Sequence, residues 1–238
     1  MPLDLADDAE DPRSAYNNSF AILSADEHQR AQRFNFKRDR VRFAAARGLL
    51  RFLIGHYLGI SPRDVQFQYG RQGKPFVGSK RTGAADLRFN VSHSGGMALF
   101  AFCWGRDVGV DIELERPVAS MMEIAQRHFS ASEHAALLRI PAADRTRAFF
   151  RCWTRKEAFI KATGEGLAIA LETFEIGQEP NDNACLLPVN GSAAFARWSV
   201  MDVSAKPGFA SAIAFEGQGI NVACWTCDSA DFMQDVSA

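Results

Sequence analysis

The chain has 238 residues, 47% of them hydrophobic and 23% charged, a balance that lets one large domain or two small lobes bury a full core. Its 27 Lys and Arg against 28 Asp and Glu leave a formal net charge of −1, which excludes a general electrostatic draw to nucleic acid or a membrane surface. No segment reaches the roughly 18 uninterrupted apolar residues of a membrane span and no basic start leads into an apolar run, so neither a span nor a signal peptide is expected.

Residues 1–15, with Asp4, Asp7, Asp8, Glu10 and Asp11, read as a disordered acidic lead. Residues 25–57 read as helix in two pieces, with Phe34, Val41, Ala45, Leu49 and Leu53 at helical spacing. Residues 30–51 are basic: Arg30, Arg33, Lys37, Arg38, Arg40, Arg42, Arg47 and Arg51 stand against Asp39 alone. A local anion site is plausible there where a global one is not. Arg47 is preferred among them, because its neighbours Ala44, Ala45, Ala46 and Gly48 are small enough for a ligand or another lobe to come close.

Ser61-Pro62-Arg63-Asp64 opens a short helix, with Ser as its cap and Pro in its first position. Val65 to Tyr69 alternates as a strand. Gly73-Lys74-Pro75 is a tight loop, either a plain surface turn or one whose backbone approaches a flat base or a phosphate. Strands are expected at 87–92, 97–103 and 108–113. The turn Ser92-His93-Ser94-Gly95-Gly96 joins the first two, and its hydroxyls, imidazole and N–H groups suit a phosphate if it is more than a polar turn.

The second half opens with a helix at 119–128. Ser130 and Glu133 then form a capping box at the head of the next helix, a better account of Glu133 than a catalytic base. A long helix over 144–163, capped by Asp144, is followed by strands near 173–177, 194–203, 208–215 and 219–226. Helices with a small, mostly antiparallel sheet in each half make an α+β fold. The expected division is an N-terminal lobe at 16–107 and a C-terminal lobe at 108–238. The strings Gly95–Phe102 and Gly208–Phe215 echo each other, each a glycine opening into an alternating strand that ends Ala-Phe, as two similar lobes would allow. The five cysteines, an odd number, suit a reducing cytoplasm, and Cys224-Trp-Thr-Cys227 lacks a second pair to complete a zinc site.

Two stretches carry chemistry. Glu157 and Lys161 are four apart on one helical face, with Trp153 four before Glu157 as an anchor. Asp111 and Glu113, two apart on a strand, project to one side while Val110 and Ile112 project to the other. Adjacent carboxylates repel unless a cation lies between them, and an all-oxygen set favours Mg²⁺, or Mn²⁺ in its place. The alternatives are a surface ion pair for the first and a solvated strand end for the second. Convergence of Glu157 on Asp111 and Glu113 would favour the metal.

The ordered set Gly73-Lys74-Pro75, Phe89-Asn-Val-Ser92-His93-Ser94, Val108-Gly-Val-Asp111-Ile-Glu113 and Trp153-Thr-Arg-Lys156-Glu157-Ala-Phe-Ile-Lys161-Ala-Thr-Gly164-Glu-Gly166-Leu167 resembles the Sfp-type 4′-phosphopantetheinyl transferase family, over about residues 25–215. The resemblance implies a pseudo-dimer of two similar α+β lobes with coenzyme A in the cleft between them. It implies Mg²⁺ on Asp111, Glu113 and Glu157, and places His93, Lys156 and Lys161, with Ser92 of the same turn, on the coenzyme A phosphates. It sets Lys74 and Pro75 by the adenine and gives basic residues of the first helical region, here Arg30, Arg33, Arg42 or Arg47, the 3′-phosphate. The implied activity moves the 4′-phosphopantetheine arm to a serine of an apo acyl or peptidyl carrier protein, with Glu157 as base and Lys161 and His93 on the leaving 3′,5′-ADP. Fatty-acid, polyketide and non-ribosomal peptide carriers are all open as substrates. A coenzyme-A-binding regulator without chemistry and a Mg²⁺-dependent phosphohydrolase are the competing readings. A monomer is expected, and Met121, Met122, Ile124 and Arg127 offer either a carrier dock or simply core.

Overall fold

Each half of the chain is built around one long helix laid on a pair of strands. The computed structural model describes residues 2–4, 19–78, 86–177, 184–188 and 197–228. In the first half, α1 (Ala25–Gln32) leads to α2 (Lys37–Leu58). A 3₁₀ turn (Pro62–Asp64), with the Ser61 hydroxyl accepting from Arg63 N–H, then leads to a hairpin of β2 (Phe67–Tyr69) and β3 (Pro75–Val77). The strands β4 (Leu87–Ser94) and β5 (Met97–Trp104) pair antiparallel. Ala45, Ala46, Leu49, Leu50 and Ile54 of α2 form a core with Leu87, Phe89, Ala98 and Phe100 on these strands.

The second half runs β6 (Val108–Leu114), α3 (Met121–His128), α4 (Ala131–Arg139), α5 (Ala142–Thr163), β7 (Phe174–Ile176), β8 (Ala184–Pro188), β9 (Trp198–Asp202) and β10 (Phe209–Glu216). Its sheet has the order β6-β10-β9-β8-β7. Ala158, Phe159, Ile160 and Ala162 of α5 cover Trp198, Val200, Ala212 and Ala214. The fit depends on Gly109: a Cβ there would lie 2.2 Å from the Ala158 carbonyl oxygen and from Ala162 N, both backbone atoms that cannot swing aside. A third core lies between the two sheets, where Met97, Leu99 and Ala101 meet Val108, Val110, Ile112, Ile213 and Phe215. Each fully buried aliphatic or aromatic side chain of this kind contributes about 1.5–3 kcal/mol.

Several expectations are corrected. Pro2–Asp4 are not disordered but form β1, antiparallel to β5, while 5–15 lie outside the described residues. No strand forms over 219–226; Gly217 and Gly219 turn the backbone through positive φ, and only Cys227–Asp228 reach a partner, as β11 parallel to β1. The chain after 108 therefore returns to the first lobe's sheet. Asp144 lies in the first turn of α5, whose cap is Pro141. The turn after β4 is confined to Gly95-Gly96, so Ser92, His93 and Ser94 belong to the strand itself. The two echoing strings become β5 and β10, each leaving a glycine with positive φ.

Candidate active site

The two lobes meet along β4 and β6. Asn90 Oδ1 accepts from Val110 N–H at 2.9 Å, Ser92 Oγ from Ile112 N–H at 3.4 Å and Ser94 Oγ from Leu114 N–H at 3.1 Å. Strand alternation puts these three β4 side chains on one side, and it puts Asp111 and Glu113 on the side of β6 that faces them. Ser92 Oγ donates to Asp111 Oδ1 at 2.8 Å and Ser94 Oγ donates to Glu113 Oε2 at 2.7 Å. Val110 and Ile112 point away into the core between the sheets.

The α5 helix brings the other half of the site. Lys161 Nζ lies 2.5 Å from Asp111 Oδ1 and 3.0 Å from Ser92 Oγ. One helical turn earlier, the Glu157 carboxyl is raised above the ordinary carboxylate range, first by burial and then by the negative charges of Asp111 and Glu113, against the pull of Lys161. Trp153, a further turn back, stacks on Phe149 at 6.0 Å and holds that end of the helix against the α3–α5 core.

A cavity of 260 Å³ opens between the lobes, lined by Gln72, Gly73 and Lys74 on one side and Glu157, Lys161 and Gly164 on the other. Lys74 crosses the gap: its ammonium donates to the Val108 carbonyl at 3.0 Å and to the Ala162 carbonyl at 2.8 Å, near the C-terminal end of α5. Burial lowers its pKa from 10.5 to about 8.

Other expected site residues lie elsewhere. Lys156 is fully buried on the far side of α5, where it pairs with Glu133 at 2.7 Å and donates to the Leu171 and Phe174 carbonyls at 2.7 and 2.6 Å. With its donors used in the core, it does not reach the cavity. Glu133 also accepts from Ser130 N–H, completing the capping box. His93 lies outside the inter-lobe cavity and lines a separate one of 170 Å³ with Ser94, Phe34, Arg42 and Phe43. Arg47 is drawn into the protein, over the Phe67 ring at 4.6 Å and 3.5 Å from Glu27, instead of facing a ligand. Arg30 and Arg33 line a third cavity of 530 Å³ with Tyr69. Pro75 begins β3, paired with Tyr69. Met121, Met122 and Ile124 pack partly on the α3–α5 core, leaving Arg127 exposed. Sequence reasoning missed Asn90 and Gln72, and it gave the Ser94 hydroxyl to a phosphate-binding turn instead of to Glu113. An alternation run on to residue 94 would have pointed to Asn90 and Ser94.

The donors fit a hard divalent cation in kind: three carboxylates, with Asp111 Oδ2 buried and lacking any hydrogen-bond partner. Among the described residues no three His, Cys, Asp or Glu side chains are gathered closely enough to hold an ion, and Lys161 supplies the counter-charge to Asp111.

Comparison with known proteins bears on this site. The family model described as the 4′-phosphopantetheinyl transferase superfamily matches residues 107–214, and that described as 4′-phosphopantetheinyl transferase, N-terminal, matches residues 10–104. The chain is 38% identical to 4′-phosphopantetheinyl transferase HetI of Nostoc sp. strain PCC 7120 over 214 residues, covering 90% of this chain and 87% of HetI. The chain belongs to the 4′-phosphopantetheinyl transferase family. Within this family it is also 32% identical to Sfp of Bacillus subtilis strain 168, over 66% of each chain. With psf-1 of Bacillus pumilus it shares 35% identity over 64% of its own length and 63% of that transferase's. The carboxylates, Lys161 and the Lys74 crossing all lie within the two matched ranges, and the seam between those ranges, 104 to 107, falls between β5 and β6.

Proposed function

We propose that the chain transfers the 4′-phosphopantetheine arm of coenzyme A to a serine of an apo acyl or peptidyl carrier protein. The observation that carries this reading is the inter-lobe cavity, where a carboxylate with a raised pKa (Glu157) and an ammonium (Lys161) face the Gly73-Lys74 loop of the other lobe. The carrier serine oxygen forms a bond to the β-phosphorus of coenzyme A. The bond from that phosphorus to the bridging oxygen breaks, and 3′,5′-ADP leaves with the bonding pair. Glu157 takes the serine proton, directly or through a water, and Lys161 stabilises the charge growing on the departing phosphate.

Asp111, Glu113 and Glu157 are the residues that would hold Mg²⁺, or Mn²⁺ in its place, and the ion would neutralise pyrophosphate charge. With Lys156 turned inward, Lys161 is left as the α5 lysine for the phosphates. Arg42 and His93 share the neighbouring cavity and are the better-placed anion contacts than Arg47. Both lobes come from one chain, which supports a monomer. The odd number of cysteines, five, supports a reducing cytoplasm.

The test incubates the protein with coenzyme A, Mg²⁺ and a panel of apo fatty-acid, polyketide and non-ribosomal peptide carriers. A mass gain of one phosphopantetheine arm on a carrier is expected. Coenzyme A binding without any such gain would favour a regulator. Release of 3′,5′-ADP or phosphate without a carrier would favour a phosphohydrolase.

A further inference from the structure

Where the lobes meet, β4 and β6 are joined by side chains. Asn90, Ser92 and Ser94 each reach the N–H of the residue 20 further along the chain, so successive rungs are two residues apart on both strands. The two serines each make a second bond, to the carboxylate of the residue just before that N–H.

A serine hydroxyl has one proton to donate and two lone pairs to accept with. The Ser92 proton goes to Asp111, and its lone pairs take Ile112 N–H and Lys161. The Ser94 proton goes to Glu113, and one lone pair takes Leu114 N–H. Neither hydroxyl keeps a proton to give a phosphate, and an anion needs a donor. Ser92 is buried besides. Its bond to Asp111 Oδ1, shared with Lys161, also decides which oxygen of that carboxylate is left without a partner, namely Oδ2.

We infer that Ser92 and Ser94 are positioning residues that orient Asp111 and Glu113 from the opposite lobe, not ligands of the coenzyme A phosphates. The acidic pair is then set only where the lobes are zipped together, and each serine matches one carboxylate. The inference rests on the proposed transferase site and replaces the phosphate role expected for Ser92.

The test compares the full-length protein with Ser92→Ala, Ser94→Ala and Ser94→Thr in two binding measurements. One is Mn²⁺ affinity, from the electron paramagnetic resonance signal of the free ion in the presence of coenzyme A. The other is coenzyme A affinity by calorimetry in EDTA. The alanine variants are expected to weaken Mn²⁺ binding about 10- to 100-fold, as loss of the partner of a ligating carboxylate does. Their coenzyme A affinity in EDTA stays at the parent value. Ser94→Thr, which keeps the hydroxyl at a half-buried strand end, restores Mn²⁺ binding; this also guards against an alanine variant that fails to fold. A fall in coenzyme A affinity in EDTA with Mn²⁺ binding intact would overturn the inference and make the serines phosphate ligands. Alanine variants that match the parent in both measurements would overturn it too, while leaving the transferase reading standing. A parent protein that binds neither Mn²⁺ nor coenzyme A would sink that reading itself, and one that binds only coenzyme A would remove the metal and the positioning role together.

Discussion

The two long helices of this chain were built to one plan and put to different uses. Both α2 and α5 have 22 residues, and both stop at a left-handed glycine, Gly59 at φ 64° and Gly164 at φ 70°. Each lays an apolar stripe on the strands of its own lobe and carries a buried cation paired to a carboxylate on the short helix before it. In α2 that pair is Arg51 with Glu27, at 2.6 Å; in α5 it is Lys156 with Glu133, at 2.7 Å. The difference lies in the face turned to the other lobe. The cations of α2 nearest its middle, Arg47 and Arg51, are folded inward onto Glu27 and the Phe67 ring. On α5, Glu157 and Lys161 are left facing the cavity. The shared features are those that hold a helix in a lobe, and the proposed chemistry sits on the face where the two helices part company.

The sharpest way to break the comparison is to remove the group that α2 lacks. Glu157→Gln is expected to lower the transfer rate by about 10² to 10⁴, the contribution of a general base, with the fold unchanged by circular dichroism. The same variant should be more stable than the parent in EDTA at neutral pH. A carboxyl whose pKa is raised on folding binds more protons folded than unfolded, so stability falls as pH climbs out of the ordinary carboxylate range through the folded value. Glutamine escapes that cost. Melting curves at pH 4 and pH 7 should show the advantage appearing only at the higher pH, and a rate near the parent's would remove Glu157 from the reaction.

Next in size are the shared pairs. Lys156→Met leaves Glu133 buried without its cation and should cost about 3–5 kcal/mol, as breaking a buried pair does. Arg51→Met should cost less, about 1–3 kcal/mol, because Arg47 stands 3.5 Å from the same Glu27 and can take over part of its charge. Urea unfolding of the two variants checks the order. Transfer activity at low temperature, where both remain folded, should survive in each. A Lys156→Met variant as stable as the parent but inactive would return Lys156 to the site.

These contrasts also show what could be read from residue order. Glu157 with Lys161, and Asp111 with Glu113, were legible because their spacings match the period of the element that holds them. Lys156 was misplaced by treating a motif as a continuous run: it is one residue from Glu157, and adjacent helical positions do not share a face. The strand holding His93 was ended two residues early. Once β4 runs to Ser94, strict alternation sends His93 away from its serine neighbours. The work of Lys74 was out of reach, since its carbonyl partner at Ala162 is 88 residues away and nothing local announces it. The short strand β11 was lost for the same reason, as its partner is the opposite end of the chain.

The smallest predicted effect concerns Lys74, whose side chain crosses from the first lobe to the backbone at the end of α5. Lys74→Met removes two hydrogen bonds to backbone carbonyls, worth about 1 kcal/mol each, but also removes a cation that burial penalises. At neutral pH the two oppose each other, and the variant should lie within about 1 kcal/mol of the parent. The pH dependence separates them. Burial lowers the Lys74 pKa from 10.5 to about 8, so between those values the folded protein binds fewer protons than the unfolded chain, and parent stability rises with pH relative to the variant. Below about pH 8 the cost of charging the buried amine is present in full; by about pH 10.5 it is gone, while the neutral amine still donates to Val108 and Ala162. The parent's urea midpoint should therefore rise relative to the variant's from pH 7 to pH 10. A gap that stays constant would mean that the ammonium is as well solvated at the seam between the lobes as it is in the unfolded chain. The crossing would then hold the lobes by geometry alone, with no electrostatic cost behind it.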